Sequence, residues 1–426
     1  MSSILTNNGA MVALQTLRNI NTDMAKTQSE ISTGKSVSSA RDNSAVWAIS
    51  KTMESDVSGF EGISASLSLG SSTIAVARSA SEQITDLLTE IKGKIVSAQE
   101  DNVDRDKIQT DLGSLRDQIS SIVGAAQFNG LSLLSNSQGG ASVAQVVGGT
   151  GAGAGIMGSG TVSVLSSLDR DSSGNVSTSN ISARKADLGT QASVVGAGTD
   201  LAATAMTGAG AIAIGATGTM TVVGDTGTAA RAGNAVLAGD SYTIGGVTGV
   251  TNAIRYVARD GDTVTDIAKG LSDRLNFEAT AAGVNVTSTL GSNGAISITN
   301  NTAAAITTTS ALATGATAGG GLALLADIDV STEDGAAAAL SAIEGLTQTA
   351  IGAAATFGSA QGRIDIQSEY VNNLMDSLKS GISSLVDADM EETSAKLQAL
   401  QVQQQLGIQA LSIANQAPQN ILSLFR

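Results

Sequence analysis

The chain has no cysteine, no histidine and only one proline in its 426 residues. The missing cysteine excludes disulfides and thiolate-bound metals. The missing histidine removes the commonest general base and metal ligand, and with it a serine–histidine triad or a zinc-protease helix. Aromatic residues are 2% of the chain and charged residues 14%, whereas a compact enzyme core leans on more large side chains. No catalytic constellation stands out among the abundant serines and aspartates, and paired carboxylates such as Glu391-Glu392 read as a solvated helix face. These absences point away from an enzyme, and no cofactor is expected.

Other absences bear on location. The start, Met1 to Gly9, lacks the basic and apolar segments of a signal peptide. No run of about 18 strongly apolar residues offers a membrane span; the Ala/Gly-rich run 202–216 comes nearest and is broken by glycine and threonine. If the protein leaves the cell, it does so by a route that reads no cleaved signal. The net charge of −15, from 38 acidic and 23 basic residues, argues against nucleic acid and anionic membrane as partners. The lone Pro418 is expected to mark the end of the last helix.

What is present lies in two matching apolar stripes. Phe60, Ile63, Leu67, Gly70, Ile74, Ala77, Ser81, Ile84, Leu88, Ile91, Ile95 and Ala98 recur three and four residues apart. So do Leu340, Ile343, Thr347, Ala350, Ala354, Phe357, Gln361, Ile364, Ser368, Val371, Met375, Leu378, Ile382 and Leu385. Such spacing is the seam of a coiled coil or helical bundle. Neither helix can bury its stripe alone, so the two ends of the chain are expected to pack together, with the middle as an inserted domain. The fold class is α+β: a long antiparallel helical coiled coil or bundle from both termini, carrying a β-rich variable insert.

Along the chain, a first helix is expected over about 3–33, with Ala10, Leu14, Leu17, Asn21, Met24, Gln28 and Ile31 on its seam. Asn21 and Gln28 would there fix register at a cost in stability. Gly34 and the polar run to Ser44 break the pattern. Helices over about 57–100 and 104–126 follow, then Asn129-Gly130, a tight hairpin signal. The returning helix runs from about Thr332 to Val386, and Asp387-Ala388-Asp389 interrupts it. In the last helix, about 390–416, Leu397 and Ile408, Leu400 and Leu411, and Val402 and Ile413 are each eleven residues apart, nearly three turns. Those lines wrap more than half of the helix surface. A helix apolar on most sides is buried on most sides, and one chain supplies too few partners. Other copies of the chain are inferred to cover it, through Leu14, Leu17, Met24 and Ile31 together with Leu397, Leu400, Val402, Leu406, Leu411 and Ile413.

The middle differs in kind. Between residues 136 and 335 fall 34 of the 49 glycines, which places the domain boundaries. Short β-like runs appear at Gly160 to Leu165, Ser241 to Ile244, Val284 to Thr289 and Ala295 to Thr299, with one short helix at about 262–271. The Gly/Ala/Thr runs 148–160 and 313–321 read as loose loops. Asp169, Asp171 and Ser173, with Gly174 sixth, have the spacing of a calcium loop, although Asn180 stands where a bidentate Glu belongs; a polar turn explains the same residues.

Ordered motifs at both ends resemble one family. Ser32-Thr33-Gly34, Ser39-Ala40-Arg41-Asp42-Asn43 with Trp47-Ala48-Ile49, Gln127-Phe128-Asn129-Gly130, and Gln409 to Pro418 followed by Leu422-Ser423-Leu424 are similar to bacterial flagellin, in its alphaproteobacterial wording. The resemblance covers about 1–135 and 336–426. It implies an inner coiled-coil core from 1–40 and 387–426, a helical bundle with a β-hairpin from 41–135 and 336–386, and an outer variable domain over 136–335. It further implies export unfolded through the flagellar type III apparatus, aided by an export chaperone. An extracellular helical homopolymer that serves as a propeller follows, with flagellar cap proteins, hook-associated junction proteins and sibling flagellins as further partners. Rival readings are a hook–filament junction protein of the same helical architecture, and a secreted β-rich adhesin with a helical stalk.

Overall fold

The computed structural model describes residues 7–135, 161–170, 175–195, 206–208, 210–223, 236, 238–259 and 262–423. The chain divides into two compact units, residues 1–65 with 369–426, and residues 66–368. Helices α1 (Asn8–Thr33), α2 (Ser44–Ala98) and α3 (Arg105–Ala125) lead in, and α5 (Glu333–Val386) and α6 (Met390–Ser423) lead out.

The smaller unit holds α1, α6, the first part of α2 and the last part of α5. Gly34 ends α1 in the left-handed region (φ 70°), a conformation cheap only for glycine, and its N–H closes on Glu30 O at 2.8 Å. The polar stretch after it is a built turn. Asp42 Oδ2 accepts from the backbone N–H of Ser38 and Ser39 and from both hydroxyls at 2.9–3.2 Å. Asn43 Oδ1 then accepts the N–H of Val46 and caps α2. That cap starts the second helix at Ser44, well ahead of the expected residue 57, because Trp47 and its neighbours are already helical. α2 and α5 run antiparallel here: Ser64 bonds Asn372, and Lys379 meets Glu61 at 3.2 Å.

In the larger unit the stripe read from sequence is the core. Leu67, Ile74, Ala77, Ser81, Ile84, Leu88, Ile91, Ile95 and Ala98 are all buried, facing Ile343, Ala350, Phe357 and Ile364 of α5. Arg78 Nε donates to Gln361 Oε1, and Lys92 to Glu344, along the flank of the pair. α3 packs on the same core through Leu112, Ile119 and Val123. The hairpin β1 (Gln127–Phe128) and β2 (Leu131–Ser132) turns through Asn129 (φ 51°) and Gly130 (φ 78°). Both central residues have positive φ, the requirement of a type I′ turn that selects Asn-Gly.

A second hairpin, β3 (Thr161–Arg170) and β4 (Val176–Arg184), lies on the helices. A Cβ on Gly70 of α2 would come within 2.6 Å of Val164, and Gln367 of α5 donates to Ser166 O at 2.9 Å. The rest of the insert is a small α/β body. The sheet order is β10 (Val286–Leu290), β11 (Ala295–Asn300), β7 (Thr217–Val222), β5 (Met206–Thr207), all antiparallel. A three-stranded sheet runs β13 (Thr309–Ala313), β8 (Ser241–Gly245), β9 (Ile254–Val257), and β12 (Ile306–Thr307) pairs with β6 (Ala211–Ile212). Helix α4 (Val264–Ala281) buries Ile267, Leu271 and Leu275 against Tyr242, Ile244, Met220, Ile296 and Ile298. Thr263 and Asp266 cap it reciprocally, which is why the acidic start read from sequence begins a helix. It runs to Ala281 rather than 271, because Phe277 and Ala279 continue the buried face.

Two expectations are corrected. The 313–321 run is not loose: Thr317 pairs with Val194, Gly320 N–H donates to Gln191 O and Leu322 N–H to Gly189 O. Gly319, Gly320 and Gly321 lie so close to the 187–193 backbone that no Cβ fits, so glycine here serves packing rather than slack. The run 148–160 lies outside the described residues. Nor does Pro418 end the last helix, since α6 continues to Ser423. Proline leaves the carbonyl four residues back, that of Ala414, without its helical N–H. Asn7 Nδ2 takes that place, donating to Ala414 O at 2.8 Å.

Two glycine substitutions should move stability in opposite directions. A Cβ on Gly270 of α4 runs into the Tyr256 ring, so Gly270→Ala should cost about 1–3 kcal/mol. Gly352 of α5 has open space, so Gly352→Ala should add about 1 kcal/mol through helix propensity. Urea unfolding of the two variants checks both signs.

Candidate assembly interface

In the smaller unit α1 and α6 pair antiparallel. Asn7 meets Ala414, Asn21 Oδ1 accepts from Gln404 Nε2 at 2.7 Å, and Lys35 bridges to Asp387. Along α1 the covered line is Ala10, Ala13, Leu17, Ile20, Met24, Thr27 and Ile31, and along α6 it is Thr393, Leu397, Leu400, Gln404, Gly407, Leu411 and Ala414. Both lines step by threes and fours, the spacing of a knobs-into-holes seam. Gly407 sets the approach: a Cβ there would stand 3.3 Å from Leu17 Cδ1.

The phase of the α1 seam differs from the sequence reading at every second position. Ala13, Ile20 and Thr27 turn inward where Leu14, Asn21 and Gln28 were expected, and Asn21 and Gln28 are exposed. Burying two carboxamides costs more than exposing one leucine. Asn21 still helps set register, from the rim, through Gln404.

The residues singled out from sequence therefore separate into two sets. Leu17, Met24, Ile31, Leu397, Leu400 and Leu411 turn toward the partner helix of the same chain, with Leu400 buried and the rest half-buried. Leu14, Val402, Leu406 and Ile413 are uncovered, with 40%, 55%, 58% and 68% of their surface exposed. Met11 and Val12 join this uncovered set and were missed, because a seam pattern looks for one face and they lie off it, and Ile408, read from its eleven-residue spacing with Leu397, is uncovered as well. Val402, Leu406 and Ile413 are spaced four and seven residues apart on the side of α6 away from its seam, and exposed aliphatic side chains gathered on one face mark an interaction site.

The calcium-loop candidate divides differently. Asp169 is exposed on β3 opposite Ser177, Asn180 stands opposite Leu165, and Asp171 and Ser173 lie outside the described residues. Among the described residues no helix is long and apolar enough to cross a membrane, and no three acidic side chains converge as a metal site.

A chain that pairs its own two ends and leaves their outer surface apolar has the makings of a polymer subunit. Residues 4–139 match the bacterial flagellin N-terminal helical region and residues 338–425 the C-terminal helical region. Flagellin A of Rhizobium meliloti is 36% identical over 442 aligned residues, and flagellin B of the same organism 35% over 450, each covering all of both chains. Among solved structures, FliC from Burkholderia pseudomallei is 14% identical, covers 69% of this chain and 99% of its own, and superposes with a TM-score of 0.30, too distant to add to the argument. The chain belongs to the bacterial flagellin family. It is a structural subunit of the extracellular flagellar filament, the organelle of motility, and its partners are copies of itself and other flagellar proteins.

Two details of this unit can be tested. Asn7→Asp keeps an oxygen to accept from Ala10 N but has no donor for Ala414 O, so hydrogen exchange should rise in the last turns of α6 while the start of α1 holds; the expected cost is about 1 kcal/mol. The bonds to Asp42, that from the Ser39 hydroxyl foremost, hold its carboxyl below the ordinary value of 3.8. The turn's stabilisation is thus complete above that pH and is lost as pH falls through the lowered value. NMR shifts of Ser38 and Ser39 should follow this titration, and Asp42→Asn should abolish it.

Proposed function

We propose that the α1–α6 pair of each subunit forms the innermost layer of the filament, and that neighbouring copies cover Leu14, Val402, Leu406 and Ile413 there. The observation that carries this reading is the exposure of those four side chains on a pair whose own seam is already filled. Burying aliphatic surface contributes about 25 cal/mol per Å². That term offsets the entropy lost when flexible chain ends are ordered, so the ends gain order as the polymer grows.

In this reading the three layers follow the chain: 1–40 with 387–426 innermost, 41–135 with 336–386 next, and 136–335 outward. The outward position suits the insert's polar, glycine-rich composition. The role is mechanical, with no reaction catalysed. Cap proteins and hook-associated junction proteins meet the polymer at its ends, and an export chaperone shields the apolar C-terminal segment before assembly. Sibling flagellins share the polymer, a reading supported by the two flagellins of Rhizobium meliloti that this chain resembles equally well.

Removing residues 1–35 or 390–426 should abolish filament growth on added seeds while the insert stays folded by circular dichroism. Leu406→Asp with Ile413→Asp should do the same with the monomer's helix content unchanged. Normal filaments seen by electron microscopy from either the truncations or the double variant would overturn the inner-layer assignment.

A further inference from the structure

All the sulfur of this chain is methionine. With no cysteine present, its nine thioethers are the groups open to oxidation at sulfur. The subunit serves outside the cell, away from the glutathione and thioredoxin that keep cytosolic sulfur reduced.

Burial sorts these side chains. Met206 and Met220 lie in the core of the insert, and Met375 is buried on the α5 stripe. Met24 and Met53 are half-buried. Met390 is 43% exposed and Met11 65%, the largest exposure among the described methionines.

Position separates the two exposed ones. Met390 begins α6, at the end of the helix pair where Lys35 meets Asp387. Met11 stands in the first turn of α1, at the opposite end, where Asn7 bonds Ala414. Residues three apart are neighbours on a helix surface, so Met11 adjoins Leu14. The antiparallel register, with Asn7 at Ala414 and Asn21 at Gln404, brings this level of α1 to the stretch of α6 that carries Ile413. Met11 therefore belongs to the uncovered apolar surface, and Met390 lies far from it.

We propose that Met11 is an oxidation site that controls assembly: a peroxide converts it to the sulfoxide in the free subunit, and the oxidised subunit does not join the polymer. This rests on the inner-layer reading of the α1–α6 pair. In the step, a sulfur lone pair attacks hydrogen peroxide and the O–O bond breaks. One oxygen becomes the sulfoxide oxygen, and the other leaves as water. Sulfur loses two electrons and the peroxide gains them. The product puts a polar acceptor where an apolar, adaptable side chain stood. Carrying that acceptor into an aliphatic contact with no donor opposes burial, and the penalty recurs with every subunit added. A neighbour that covers Met11 also shields its sulfur, so a finished filament resists the oxidant that disables a free subunit.

The test treats full-length monomer with dilute hydrogen peroxide, locates sulfoxides by tandem mass spectrometry and offers the protein to filament seeds under the electron microscope. Met11 should oxidise ahead of Met206 and Met220, and growth should fall about tenfold or more. Methionine sulfoxide reductases should restore it. Met11→Leu should keep its growth after the same treatment, whereas Met390→Leu should lose it as the wild type does. Met11→Gln, which carries a polar group without any oxidant, should slow growth with an unchanged melting temperature. Normal growth of wild-type monomer fully oxidised at Met11, or equal loss of growth in oxidised Met11→Leu, would overturn the proposal. The inner-layer reading fails by a different result, normal filaments from Leu406→Asp with Ile413→Asp.

Discussion

The antiparallel pairing of α1 with α6 sets Asn7 against Ala414 and Lys35 against Asp387, and it covers only one side of each helix. Two helices satisfy one another's seams and no more, because a two-stranded coil has one line of contact. The side chains beyond that line stay in water until something else arrives. The internal seam makes the pair a defined object, and the uncovered side makes it a sticky one. A polymer subunit needs both properties, since a fully covered pair would not associate and an unpaired helix would have no fixed face to offer.

Much of this was legible in the residues. The α2 and α5 stripes need only a period and a direction, and Ile84, Leu88, Ile343 and Phe357 are buried as their spacing requires. Asn129-Gly130 announces its turn because few other dipeptides take two positive φ angles cheaply. The α1 seam was harder. Two interleaved sets share Ala10, Leu17, Met24 and Ile31, and only the partner helix decides whether Leu14, Asn21 and Gln28 or Ala13, Ile20 and Thr27 turn inward. Pro418 misled for a related reason. A proline stops a helix when its orphaned carbonyl has no other donor, and the donor here lies at the far end of the chain.

The insert obeys different rules from the helices that carry it. Its ribbon of Gly319, Gly320 and Gly321 runs against residues 187–193 at a separation that excludes side chains, and Arg259 ties that ribbon to β9 through two carbonyls. Composition alone made the run look like slack chain. Glycine gives up the most freedom on folding, so such a ribbon stays ordered where backbone bonds hold it, as those of Thr317 with Val194, Gly320 with Gln191 and Leu322 with Gly189 do. Arg259 likewise carries no periodic signal, because its role comes from three segments distant in sequence.

The bond between Asn7 and Ala414 has a consequence for timing. It closes a loop of nearly the whole chain, its ends 407 positions apart. Loop-closure entropy grows with that separation, so contacts local to each segment form sooner. The coil of α1 and α6 cannot zip until both ends of the chain have met. The surface that carries Leu406 and Ile413 therefore depends on the contact with the highest closure cost in the chain, while the insert's contacts are made at shorter range.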